Sequence, residues 1–227
     1  MFSDLLDTLL PRACLLCGER SRTALCVGCT ADLPILSAPL CSICAQPVPM
    51  PVPACGACLQ SPPTFDATLA PLRYAYPIDH LIRDLKFRSR LASADFFAQC
   101  MLVAAQAHGT LIMPVPLSRQ HLRERGFNQA LEIARPLARA LALPLDASSL
   151  VRSKETLPQS KLPWRARKGN VHNAFECNRD LTGETVIVID DVMTTGATLD
   201  AIARTLKDHG AARVINWVAT RAIKTLT

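Results

Sequence analysis

Apolar positions change their spacing several times along the chain. Val186, Ile187, Val188 and Ile189 run together, as in a strand buried on both faces of a parallel sheet. From Ala197 to His209 the period becomes helical, with Leu199, Ile202, Ala203 and Leu206 on one face and Gly210 as a stop. Leu111 to Leu117 is a second apolar run ending in a rigid Pro114-Val115-Pro116 corner, which predicts another strand. Gly126 to Leu143 is again apolar at helical spacing, with Pro136 as a kink. In residues 79–90 (DHLIRDLKFRSR), Leu81, Ile82 and Leu85 form an apolar helix face. Phe2, Leu5, Leu6, Leu9 and Leu10 predict a short amphipathic helix that packs on the protein. Strands alternating with helices predict an α/β fold around a parallel sheet.

The first 62 residues break that alternation. Eight of the ten cysteines form four Cys-x-x-Cys pairs: Cys14/Cys17, Cys26/Cys29, Cys41/Cys44 and Cys55/Cys58. Each such pair can place two thiolates on one tetrahedral ion, so four pairs suffice for two structural zinc sites. Full cysteine coordination leaves no open position for catalysis at the metal. Pairing first with second and third with fourth is sterically reasonable, and an interleaved scheme stays open. A disulfide framework fits poorly, because the amino end carries Asp4 and Asp7 where an export signal would carry Lys or Arg. No apolar run is long enough to cross a bilayer, so no stable membrane insertion and a cytoplasmic location are expected. Prolines crowd residues 47–63 too densely for a helix. The expected organisation is a zinc-ribbon module over residues 1–62 and a larger domain over 63–227.

Charge is concentrated. Residues 117–170 hold eleven Lys/Arg against four acids, a net +7 that exceeds the +6 of the whole chain, whereas residues 1–62 are near −1. A diphosphate or a nucleic-acid backbone would suit that stretch.

Between the Val186 strand and the Ala197 helix lie Asp190, Asp191 and the small polar turn Thr194-Thr195-Gly196-Ala197-Thr198. A turn that opens a helix aims backbone N–H groups at one point with the helix dipole behind them, which suits a phosphate. Two adjacent carboxylates would repel a phosphate and should meet hydroxyls or a metal instead. They also repel each other, so replacing both is expected to leave the fold intact.

This segment closely resembles the PRPP-binding motif of type I phosphoribosyltransferases. The stretches PVPLSRQHLRERGFNQA (114–130) and VRSKETLPQSKLPWRARKGNVHNAF (151–175) extend the likeness to the ComF/GntX family, in which a cysteine-rich zinc module precedes a transferase-like domain. The resemblance implies a type I phosphoribosyltransferase fold, a Rossmann-like parallel sheet flanked by helices. It implies PRPP or a ribose 5-phosphate group at Asp190, Asp191 and Thr194–Thr198, with magnesium on the diphosphate. It makes Lys86, Arg125, Gln159, Arg167 and Asn170 candidates for the diphosphate, the last three on a flexible loop over Arg152–Asn170 that closes during reaction. ComF relatives are implicated in natural transformation and use of external DNA, which implies DNA-uptake partners. Two functions follow: displacement of diphosphate from PRPP by an unread acceptor, or single-stranded DNA binding with PRPP as a regulatory ligand. No catalytic acid or base is identifiable. Apart from Phe127, Trp164 is the sole large ring in the basic stretch, too few for a broad stacking platform.

Overall fold

Short pieces open the chain because a segment of about 60 residues is too short to bury a full core of its own. The structure, a computed structural model, describes residues 12–88, 90–105, 109–153 and 174–223. The helix expected at Phe2–Leu10 lies outside them. Strands β1 (Arg12–Ala13) and β2 (Arg20–Ser21) pair antiparallel around the first Cys-x-x-Cys, and helix α1 (Val27–Ala31) follows Cys26. Helix α2 (Gly56–Gln60) follows Cys55. It sits inside the Pro-rich run, contrary to the sequence expectation. Residues 54–61 carry no proline, and one helical turn fits between the two proline clusters.

Strands β3 (Ala67–Leu69) and β4 (Leu72–Arg73) lead into helices α3 (Ile78–Arg88) and α4 (Ala92–Ala104). Then come β5 (Leu111–Pro114), α5 (Arg119–Arg125), α6 (Gln129–Leu141), β6 (Leu150–Arg152), β7 (Phe175–Cys177), β8 (Thr185–Met193), α7 (Ala197–Asp208) and β9 (Arg213–Arg221). The central sheet is parallel throughout, in the order β3-β9-β8-β5, with β4 also pairing β9. Its faces follow the two-residue period of a strand. Ile187, Ile189, Ile215 and Trp217 face α3, α4 and α6, whereas Val186, Val188, Val214 and Val218 face α7. The second face also receives Leu36, Cys41, Cys44, Ala45 and Cys58, so the second ribbon shares the core of the sheet.

Three expected boundaries move. The strand at Val186 runs on to Met193, so Asp190 and Asp191 lie within it and Asp190 pairs with Val218. The helix expected from Gly126 starts at Gln129, because Gly126 is the left-handed cap of α5 (φ 77°) and the Asn128 side chain caps α6. The basic segment after β5 forms helix α5, so the Pro114-Val115-Pro116 corner leads into a helix capped by Ser118, whose side chain accepts from the His121 N–H. Pro136 lies inside α6 without ending it.

Candidate functional site

The four cysteine pairs come together in sequence. The sulfurs of Cys14, Cys17, Cys26 and Cys29 lie within 4.8 Å of one another, as do those of Cys41, Cys44, Cys55 and Cys58. Cys17 and Cys26 Sγ are 3.7 Å apart, and Cys44 and Cys55 Sγ 3.6 Å. A tetrahedral zinc with metal–sulfur bonds of about 2.3 Å has sulfur–sulfur edges of about 3.8 Å. The donor set therefore fits structural zinc at both tetrads. Backbone N–H groups support the sulfurs: Cys26 N donates to Cys14 Sγ at 3.3 Å and Cys55 N to Cys41 Sγ at 3.2 Å.

The acids stand at the carboxyl end of β8, where ligands bind parallel sheets. Asp191 is buried, and its side chain is held from two sides. Lys86 Nζ, on α3, lies 2.5 Å from its Oδ2, and Gln129 Nε2, at the start of α6, donates to its Oδ1 at 3.3 Å. Burial alone would push the Asp191 pKa up, but the Lys86 charge outweighs it and holds the carboxyl below its usual value. Burial likewise favours neutral Lys86, yet the Asp191 carboxylate raises its pKa. Asp190 has no such cation to itself. Burial, then the Asp191 charge, push its pKa well above the ordinary carboxylate value, and its Oδ1 accepts from the Asp191 N–H at 2.9 Å. Mutual repulsion was the basis for expecting that both acids could be removed without harm. Lys86 changes that expectation for Asp191, because loss of the carboxylate would strand a half-buried ammonium.

The turn follows directly. Gly196 takes φ 82°, which suits glycine, and a Cβ there would meet Met193 Cε at 2.7 Å. Thr195 Oγ1 accepts from the Ala197 N–H at 3.2 Å, and α7 opens at Ala197. Asp190, Val192 and residues 193–199 line a hollow there. A wider, open depression beside Arg179, Thr182, His209 and Gly210 sits at the amino end of β8, away from both acids.

Arg125 Nη1 donates to Gln129 Oε1 at 3.1 Å, and its guanidinium lies 5.3 Å from the Phe87 ring centre. Arg125, Gln129, Asp191 and Lys86 thus form one chain of contacts. Lys86 meets an acid, and Arg125 reaches that acid through Gln129. Gln129 was missed as a site residue. The signal for it was Asn128, a strong helix cap that puts Gln129 in the first turn beside the end of β5. Gln159, Arg167 and Asn170 lie outside the described residues. Their segment leaves from β6 and returns at β7, which pair antiparallel, and Ser153 N donates to Ala174 O at 3.0 Å. Among the described residues, no helix is long and apolar enough to cross a membrane.

Comparison with known proteins agrees with both halves of this geometry. Residues 5–59 match the model of a double zinc ribbon domain, and residues 128–224 match that of a phosphoribosyl transferase domain. The DNA utilization protein YhgH of Salmonella typhimurium is 37% identical over 193 residues, covering 81% of this chain and 85% of that protein. Competence protein F of Haemophilus influenzae is 30% identical over 213 residues, covering 89% and 92%. Competence protein ComFC of Bacillus subtilis is 27% identical over 202 residues, covering 84% and 81%. With two tetrads ahead of a parallel sheet whose acid-bearing strand opens into a Thr/Gly turn, the chain belongs to the ComF family of phosphoribosyltransferase-like proteins.

Proposed function

We propose that this chain binds PRPP, or a ribose 5-phosphate group, at the carboxyl end of β8, and that it serves in the use of external DNA. The observation that carries the reading is the juxtaposition of Asp190 with the Gly196 turn at the opening of α7. The turn offers first-turn amides and threonine hydroxyls to a 5-phosphate. Asp191 is engaged by Lys86 and Gln129, which leaves Asp190 as the acid for the ribose hydroxyls. A hydroxyl donating to Asp190 would offset the repulsion from Asp191. Lys86 serves the ligand by fixing Asp191, and Arg125, half-buried beside it, supplies positive charge for the diphosphate. Magnesium takes oxygen ligands and would neutralise diphosphate charge, with Asp190 a fitting donor nearby. Gln159, Arg167 and Asn170 remain candidates for the same diphosphate. A cytoplasmic location accords with eight thiols kept for metal.

The test is calorimetry with PRPP and magnesium. Asp190→Asn should weaken binding at least about tenfold, or about 1.4 kcal/mol. Its thermal midpoint should hold or rise, because a carboxyl with a raised folded-state pKa opposes folding at neutral pH. Asp191→Asn should instead lower stability by roughly 1–3 kcal/mol, below the range for a wholly buried pair because Lys86 is partly exposed. The Asp191 contribution is present above the ordinary carboxylate pKa and is lost as pH falls through its depressed folded value. Unchanged PRPP affinity in Asp190→Asn would sink the ribose assignment.

A second reading makes PRPP a regulatory ligand of a single-stranded DNA-binding protein. Arg119 and Arg123 favour it, exposed on α5 next to the site. DNA affinity should then fall with salt at a log–log slope of about −0.7 per phosphate neutralised. Diphosphate release from PRPP in the presence of bases and amines separates the two readings.

A further inference from the structure

We propose that Arg221 couples the second cysteine tetrad to the Thr194–Thr198 turn, so that metal in that tetrad fixes the geometry of the turn. Arg221 is the last residue of β9 and is 3% exposed. Each of its described hydrogen bonds ends on a carbonyl oxygen. Nε donates to Cys44 O at 2.8 Å, and Nη1 donates to Met193 O at 2.9 Å, to Thr194 O, and to Ala222 O at 2.8 Å. A guanidinium buried on neutral carbonyls is costly unless negative charge lies near it. The second tetrad supplies that charge, since a divalent zinc on four thiolates carries a net charge of about −2. Cys44 therefore faces the metal with its sulfur and Arg221 with its carbonyl.

The other end of the guanidinium sets the entrance to the turn. Met193 and Thr194 are the two residues that lead from β8 into it, and the Met193 methyl lies against Gly196. A second route runs in parallel: Gln46, just beyond the second knuckle, donates from Nε2 to Ala222 O at 3.3 Å, and Ala222 N donates to Met193 O at 3.0 Å. With metal bound, the charge of the tetrad holds the guanidinium, and the guanidinium holds the turn. Without metal, the second knuckle loses the bonds that fix it, and with them the placement of the Cys44 carbonyl that Nε holds. Arg221 is a positioning residue, because its described bonds end on backbone carbonyls of Cys44, Met193, Thr194 and Ala222, not on a ligand. The ligand arm of the test rests on the ribose-phosphate reading above; the other two arms do not.

The experiment compares full-length, zinc-loaded wild type with Arg221→Gln and Arg221→Lys. It reads zinc release to a chromophoric chelator, hydrogen–deuterium exchange over 193–199, and PRPP binding. In Arg221→Gln one of two zinc ions should leave at least about tenfold faster, and the turn amides should exchange at least about tenfold faster. PRPP affinity should weaken by a similar factor, and Arg221→Lys should restore part of each effect. Turn exchange and zinc release within about twofold of wild type in a folded Arg221→Gln protein would overturn the coupling. If wild type binds no PRPP while the exchange and zinc effects appear, the ligand reading fails and the coupling stands. If the variants do not fold, stepwise chelation of wild type decides. Exchange over 193–199 must then rise with that over 41–58 and not with that over 14–29; the reverse order refutes the proposal.

Discussion

In the first ribbon, Gly18 N donates to Cys14 O at 3.0 Å and Cys14 N to Glu19 O at 2.8 Å. In the second, Ala45 N donates to Cys41 O at 2.9 Å and Cys41 N to Gln46 O at 2.8 Å. Each then carries its second cysteine pair at the start of a one-turn helix. The knuckles are one unit built twice, but their surroundings differ. Cys17 is exposed, and the first knuckle is tied down by Arg90, whose Nη1 donates to Leu15 O at 3.3 Å from a side chain 53% exposed. Cys41, Cys44 and Cys58 are buried in the core that holds α7, and the cation tying down their knuckle is the buried Arg221. A repeated metal unit can therefore pack on one sheet face through Cys14 and Leu25 with Cys17 left exposed, and in its other copy bury three cysteines on the face that carries α7. Burial of its neighbours makes the difference, not the metal chemistry.

The largest expected effect separates the two tetrads directly. Cys58→Ser should lower the thermal midpoint by roughly 10 °C or more, because it removes a metal ligand from the shared core. Cys29→Ser should cost less than half as much and leave PRPP binding in place. Equal losses in calorimetry would erase the distinction. Next comes Arg90→Ala. An exposed pair contributes about 0–1 kcal/mol, so the midpoint should fall by no more than about 4 °C, with amide exchange over 193–199 unchanged. Effects of similar or smaller size fall on the residue closing each knuckle. Gly18 takes φ 78°, so Gly18→Ala should cost about 1 kcal/mol and weaken the first zinc site about fivefold in a competition titration. Ala45 already carries a Cβ at φ 54° and is buried. In Ala45→Gly, relief of about 1 kcal/mol of strain offsets about 0.8 kcal/mol of lost methyl burial, and stability should stay within about 0.5 kcal/mol.

What could be read from the sequence was local. The cysteine pairs, the acids and the turn each lie within a few residues, and their chemistry depends on spacing alone. The β8–α7 junction was legible because its apolar period changes from continuous to helical within ten residues. Helix α5 was not, since Leu122 is its only apolar side chain and no period could form; its Ser118 and Gly126 caps were the available clue. The apolar run that marks strand β8 stops at Ile189, because acids usually mark an exposed end, whereas here pairing with β9 carries them inside the ladder. Lys86, Gln129 and Arg221 owe their roles to partners far along the chain. Arg221 meets Cys44 across 177 positions, and no spacing rule reaches that far.

The position of β9 has a consequence for the order in which this protein takes shape. It follows every other described strand in the chain, yet it lies between β3 and β8 and ends in the residue that grips the turn. While the chain is being made on a ribosome, the ribbons can collect their metal early, but β3 must wait without a strand partner and β8 with one edge open. The proposed ligand site is then completed when that strand takes its place beside β8. A nascent chain stalled before residue 213 would carry both tetrads and both acids and still lack Arg221 behind the turn.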